Sequence, residues 1–153
     1  MTGQDALRKL SSLCARGEHC TSELCEKMLR WGVDADEQEG VVAWLAEHHY
    51  VDDERFARAF VHDKLKYNRW GERKIAQALY AKGVGRDISQ AVLGEVGEEE
   101  YLEQLLPVMQ GKLKSVKAGS DYERNQKVVA YAVSRGFSPS QAWKCLDTLK
   151  ESL

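Results

Sequence analysis

The sequence predicts an all-α fold of three tandem three-helix units. Three observations carry that expectation: a repeated glycine, a repeated apolar register around it, and the scarcity of strand and hairpin signals. Glycine follows a large or basic residue and precedes an apolar one at Trp31-Gly32-Val33, Lys82-Gly83-Val84 and Arg135-Gly136-Phe137. Eight positions before the glycines stand Leu24, Ile75 and Val128, and after them the sets Val41/Val92/Cys145, Val42/Leu93/Leu146 and Leu45/Val96/Leu149 recur without gaps. Apolar residues at offsets of three, four and seven form the core-facing stripe of a helix. Each glycine therefore sits between two amphipathic helices, at a C-terminus where it adopts the left-handed conformation at little cost. Proline occurs only at positions 107 and 139, and no Asn-Gly or Asp-Gly dipeptide breaks the helical pattern.

The elements follow in order. Ala6, Leu7, Leu10, Leu13 and Cys14 mark the first helix, and Leu24 opens the apolar stripe of the second, which ends at Gly32. Asp34, with Glu37 three residues on, has the form of a capping box for the third. Asp52-Asp53-Glu54 then precedes Phe56, Ala59 and Phe60. Acids before an apolar-periodic run read as a capped, dipole-matched helix start rather than as an acid–base or metal pair. Phe56 and Phe60, one turn apart, are expected in the core. Ile75 belongs to the helix that ends at Gly83, and Gly85 opens the next. Leu102, Leu105, Leu106, Met109 and Leu113 trace the first helix of the last unit, where Pro107 is expected to kink or divide it after Leu106. Ser120 and Glu123 form another box, and Ser138-Pro139-Ser140-Gln141 combines a capping hydroxyl, proline at the first helical position and Gln three residues after the cap. His48 and His49 suit a helix end. The expected modules are residues 1–49, 50–97 and 98–153, stacked as an elongated array that can curve.

Composition narrows the function classes. No apolar stretch approaches the roughly 20 residues needed to span a bilayer, so a cytoplasmic chain is expected. Cys14, Cys20, Cys25 and Cys145 lack the paired spacing of a zinc ribbon and fit reduced thiols, with no metal and no cofactor implied. Gly83-Val84-Gly85 and Gly111-Lys112 do not complete a phosphate-binding loop, and His19, His48, His49 and His62 have no nucleophile at a recognisable elbow. No catalytic constellation is present, and the chain reads as a non-enzyme.

The net charge of −2 conceals a gradient from −4 over residues 1–50, through −1 over 51–100, to +3 over 101–153. Between positions 64 and 86, Lys64, Lys66, Arg69, Arg73, Lys74, Lys82 and Arg86 face a single acid, Glu72. Between 112 and 135, Lys112, Lys114, Lys117, Arg124, Lys127 and Arg135 face Asp121 and Glu123. Tyr67, Trp70, Tyr80, Tyr122 and Tyr131 are interleaved. Such windows suit either solvated helix faces or a polyanion, DNA or a protein filament on DNA. Arg124, Lys127, Tyr131 and Arg135 share one arc of roughly 80°, away from Val129, Ala132 and Val133. As an exposed stripe, reversing Arg124, Lys127 and Arg135 together is expected to weaken binding without changing stability.

Tyr50-Val51-Asp52-Asp53-Glu54-Arg55-Phe56-Ala57-Arg58-Ala59-Phe60-Val61 resembles the signature of the RecX family, bacterial modulators of the RecA recombinase. Gly71-Glu72-Arg73-Lys74-Ile75 through Leu79 to Lys82-Gly83-Val84 is similar to the family's second module, Arg135-Gly136-Phe137 to the end of its third, and Thr21-Ser22-Glu23-Leu24 to a helix start in its first. The likeness covers essentially the whole chain. Two departures stand out: Glu72 occupies a position where the family often has proline, which adds an acid to the basic window, and Ala132 one where a larger aliphatic is common.

The resemblance implies a monomeric, non-enzymatic regulator that binds the RecA nucleoprotein filament along its groove. It also implies mainly inhibitory modulation of the recombinase, ATPase and coprotease activities in recombination and the SOS response. Weak direct binding to single- or double-stranded DNA would accompany it, and no membrane partner. A short glycine turn between helices also describes a helix-turn-helix DNA reader. The basic residues follow the array rather than one recognition helix, which favours the first alternative.

Overall fold

The computed structural model describes residues 1–151; positions 152 and 153, the end of the expected third module, lie outside the described residues. Among the described residues there are nine helices and no strand. They are α1 (Gly3–Arg16), α2 (Thr21–Arg30), α3 (Ala35–Glu47), α4 (Asp53–Lys66), α5 (Glu72–Ala81), α6 (Arg86–Gly94), α7 (Glu98–Ser115), α8 (Asp121–Ser134) and α9 (Pro139–Glu151). The all-α expectation holds. No helix is long and apolar enough to cross a membrane among the described residues.

The chain forms two compact units. The first comprises residues 1–60 and 79–92, the second residues 61–78 and those from Leu93 on, so that α4, α5 and the end of α6 are divided between them. In the first unit α3 packs on α1 and α2. Their core joins Ala6, Leu10, Leu24, Met28, Val33, Val41, Leu45 and Val51, with Leu7, Leu13, Cys14, Trp31, Val42 and Tyr50 packed at its margin. In the second unit α7, α8 and α9 pack on one another around Leu105, Met109, Val128, Ala132, Phe137 and Leu146, all fully or almost fully buried.

The repeated glycine does what its sequence context implies. Gly32, Gly83 and Gly136 have φ of 73°, 76° and 101°. At each, the following amide donates back to the carbonyl five residues earlier: Val33 to Met28 at 3.0 Å, Val84 to Leu79 at 3.1 Å and Phe137 to Ala132 at 3.2 Å. This is the Schellman closure, and its usual apolar contact explains why the residue after each glycine is large, apolar and buried.

The caps are less uniform. Ser138 and Gln141 exchange both expected bonds, with the Gln141 amide donating to Ser138 Oγ at 3.0 Å and the Ser138 amide to Gln141 Oε1 at 2.9 Å. Ser120 Oγ accepts from the Glu123 amide at 3.1 Å, but the Glu123 carboxylate reaches back to Gly119 rather than Ser120. Asp34 occupies an N-cap without a side-chain bond to the helix it precedes.

Two expectations are corrected. Helix α7 is not divided after Leu106 but continues for 18 residues through Pro107. Pro107 and Glu103, whose carbonyl loses its intrahelical donor, both lie on the exposed face, where water can replace the missing bond. In α4 the buried positions are Phe56, Ala57, Val61 and Leu65, whereas Phe60 is half-buried. Its ring lies against Phe56 with centroids 5.7 Å apart.

Candidate polyanion interface

The acidic signature segment is structural. Asp52 Oδ1 accepts from the amides of Glu54 at 3.0 Å and Arg55 at 3.1 Å, capping α4. Asp53 turns away from its own helix and accepts from the Thr21 amide at 2.8 Å and hydroxyl at 3.0 Å, at the start of α2. Arg55 pairs with Glu18 at 2.6 Å and donates to the carbonyls of His49 and Tyr50 at 3.1 and 3.3 Å. One carboxylate and one guanidinium thus tie three chain segments of the first unit together. Periodicity gives no sign of either partner.

Within the same unit Lys82 pairs with Glu23 at 3.4 Å, and its carbonyl accepts from the hydroxyl of Ser22. Burial opposes ionisation of Glu23, but the Cys20 amide that it accepts, with Lys82 and His19 nearby, holds its carboxyl below the ordinary value of 4.5. Arg86 is exposed at the first position of α6. All four cysteines are free, and burial raises each thiol above its ordinary range.

The densest basic cluster lies in the second unit, where α4 gives way to α5. The turn between Lys66 and Glu72 includes Arg69 in the left-handed region, at φ 53°. The Trp70 amide donates to the Lys64 carbonyl at 3.1 Å, and the indole is half-buried. Lys64 Nζ stands 5.0 Å and Lys74 Nζ 4.6 Å from the centroid of that ring. Such contacts contribute about 0.5 to 1 kcal/mol each at partly exposed sites. Arg69 donates to Gln104 Oε1 on α7 at 3.1 Å. Lys66 and Arg73 lie on the same short stretch, Lys66 half-buried and Arg73 exposed.

The end of α8 holds this turn in place. The Gly71 amide donates to the Arg135 carbonyl at 2.8 Å and the Arg73 amide to the Gly136 carbonyl at 3.1 Å. Free donors at the start of α5 thereby meet carbonyls left over at the end of α8. The Arg135 guanidinium donates to the carbonyls of Asn68 and Arg69. Lys64 and Lys74 thus approach Trp70 while Arg135, from the end of α8, holds the backbone just before it, a grouping that spans 72 positions of sequence. Arg135 departs from its expected role as a freely exposed charge, because its guanidinium is committed to the turn.

The rest of the third window is more dispersed. Lys112 Nζ lies 4.7 Å from the Tyr131 ring centroid, bridging α7 and α8. Arg124 pairs with Asp121 at 3.5 Å, and Lys127 with Glu123 at 3.1 Å while also donating to the Lys117 carbonyl. Glu123 is held below the usual carboxylate range, first by the Gly119 amide and then by Lys127. The stripe is thus partly answered by its own acids. Lys114 and Lys117 are exposed where α7 leads toward α8, and Lys114 and Arg124 rim a cleft over Leu113, Leu146 and Leu149.

The chain is 30% identical over 129 residues to the regulatory protein RecX of Vibrio parahaemolyticus, covering 84% of this chain and 81% of that relative. It belongs to the RecX family. Family models described as the second and third three-helix domains of RecX match residues 52–93 and 98–146. The regulatory protein RecX of Clostridium botulinum (strain Eklund 17B / Type B) is 32% identical over 114 residues, which cover 73% of this chain and 53% of the relative. The chain thus matches about half the length of that RecX relative. The crystal structure of RecX from Lactobacillus salivarius superposes with a TM-score of 0.85, at 15% identity over 96% of this chain and 98% of that one. A second RecX crystal structure gives a TM-score of 0.87 at 19% identity, covering 95% and 71% of the two chains. These likenesses establish the RecX fold for this chain, and its named relatives are regulatory proteins.

Proposed function

We propose that this chain binds the RecA–DNA nucleoprotein filament and restrains RecA, lowering its recombinase, ATPase and coprotease activities in recombination and the SOS response. It acts as a cytoplasmic, non-enzymatic monomer, with modules at residues 1–49, 50–97 and 98–153. Membership of the RecX family supplies the partner. The observation that supports this mode of contact is the approach of Lys64 and Lys74 to Trp70 on a turn that also carries Arg69 and is bonded by Arg135. Lys66, Arg73 and Lys112, with Lys82, Arg86, Lys114, Lys117, Arg124 and Lys127, supply further positive charge. A polyanionic filament attracts such a surface through many individually weak contacts, which add through effective concentration once the first is made.

The placement of the cations disfavours sequence readout of bare duplex. They sit on a turn, a helix end and several helices, whereas a major-groove reader concentrates its contacts near the start of one recognition helix. The test is to add the protein to its cognate RecA on single-stranded DNA and follow ATP hydrolysis and strand exchange. Both should fall at stoichiometric protein. Unchanged rates would overturn the proposal.

A further inference from the structure

We infer that the cleft formed by α7, α8 and α9 is a docking site for a short acidic peptide segment of a partner protein. The segment seats an apolar side chain on Leu113, Leu146 and Leu149 and sets carboxylates against Lys114, Arg124 and Lys150. The inference goes beyond the proposed function, because it assigns this cleft a ligand whose binding requires neither RecA nor DNA.

The cleft has a volume of about 400 Å³ and lies within the second unit. Pockets that seat ligands run from about 300 to 1,000 Å³. Its floor is aliphatic, with Leu146 and Leu149 buried and Leu113 half-buried. Each of the three helices brings one cation to it: Lys114 from α7, Arg124 from α8 and Lys150 from α9. Lys114 and Lys150 are exposed, and no carboxylate lines the cleft among the described residues. Arg124 Nη1 stands 3.5 Å from Asp121, beyond the usual hydrogen-bond range, and the Asp121 side chain is 89% exposed. So loose a surface pair contributes little, and the guanidinium is able to exchange it for a carboxylate held over the floor.

Floor and rim together select the ligand. A bare phosphate would use the cations and leave the leucines uncovered, whereas a neutral apolar molecule would cover the leucines and leave the cations unanswered. A nucleic-acid strand satisfies the rim, but its bases stack on aromatic faces, and no aromatic residue lines the cleft among the described residues. A peptide with an apolar side chain between acids satisfies both. Covering the leucines supplies affinity as their surface leaves water, and the three cations supply orientation and a faster encounter.

The probe is the labelled peptide Glu-Asp-Glu-Leu-Phe-Asp-Glu, followed by anisotropy against the full chain. Beside it are run its serine counterpart, Glu-Asp-Glu-Ser-Ser-Asp-Glu, and a labelled oligothymidylate. The first peptide should bind with a dissociation constant below about 1 mM, and the serine peptide at least about tenfold more weakly. Lys114→Gln and Lys150→Gln should each weaken the first peptide about two- to fivefold. Leu113→Ala should weaken it about threefold or more and leave oligothymidylate binding unchanged. Thermal melts identify any variant that has unfolded. Absence of binding at about 1 mM, equal binding of the two peptides, or indifference of the first to both Leu113→Ala and Lys150→Gln would overturn the inference. Oligothymidylate binding that falls with Leu113→Ala as the peptide's does would also overturn it, by giving the cleft to nucleic acid. A dimer dissociated by Lys150→Gln would give it to a second copy, and peptide binding seen only with a chain ending at Glu151 would give it to the chain's own last residues; either result contradicts the inference.

Discussion

The backbone of Gly71 crosses that of Gly136 so closely that a Cβ on Gly71 would lie 2.3 Å from the Gly136 carbonyl carbon and 2.4 Å from the Phe137 nitrogen. A Cβ on Gly136 would in turn lie 2.6 Å from Lys74 Cβ and 2.7 Å from the Lys74 nitrogen. Any side chain at either position forces two backbones apart. Gly71→Ala is therefore expected to cost about 2 to 4 kcal/mol in a urea titration, through strain and loss of the amide contacts at Arg135 and Gly136. Gly32 makes the comparison, since its φ is 73° and nothing lies within 4 Å of its Cβ position. Gly32→Ala should cost only the left-handed conformation, about 1 to 2 kcal/mol.

Arg135 is expected to matter for stability as well as for binding. Removing its guanidinium leaves the carbonyls of Asn68 and Arg69 without their donor, so Arg135→Ala should destabilise the protein by about 1 to 3 kcal/mol. Arg124→Ala and Lys127→Ala remove ion pairs with exposed partners and should each cost less than about 1 kcal/mol. Denaturant midpoints of the three single variants distinguish the clamp from the surface pairs.

Phe56 and Phe60 separate in the same way. Phe56 is 7% exposed, and Phe56→Ala should cost about 3 to 5 kcal/mol. Phe60 is half-buried, so Phe60→Ala should cost distinctly less. Equal costs in chemical denaturation would contradict the assignment of Phe60 to the edge of the core.

Glu23 links the first unit to pH. Its folded carboxyl is held below the ordinary 4.5, so ionised Glu23 favours the folded state. The contribution is fully present above the unfolded value and disappears as pH falls through the lower folded value. Glu23→Gln should therefore be less stable than wild type at pH 6, with the difference shrinking below about 4.5. Stability measured by urea titration from pH 6 down to pH 3 checks this. A difference that widens on acidification would show the sign to be wrong.

Local chemistry was legible in the sequence where it acts over one or two helical turns. The glycine of each Gly-apolar pair closes a Schellman turn, and Ser138 with Gln141 caps α9 as their spacing implies. Features that depend on distant partners were not. Asp53 bonds to Thr21, 32 positions away, and Arg135 to Asn68, 67 positions away, and neither separation leaves a periodic trace. Pro107 misled for the opposite reason: a local rule against helical proline yields where the freed carbonyl faces water. The basic windows were visible as composition. Their concentration on Trp70 required the α8 terminus to meet the α4–α5 turn, and the pairing of Lys127 with Glu123 shows how a stripe of cations loses part of its field to its own helix.

The most direct test of the central claim is equilibrium binding to RecA filaments on single-stranded DNA across a salt titration, comparing wild type with the triple variant Lys64→Glu, Arg73→Glu, Lys74→Glu. Arg8→Glu with Lys9→Glu in the acidic first module serves as the control. If the cluster around Trp70 grips the filament, the triple variant, still folded by circular dichroism, loses most of its affinity and shows a shallower salt slope, while the control binds almost as the wild type does. A folded triple variant that binds with wild-type affinity and salt slope would contradict the account and place the contact elsewhere on the chain.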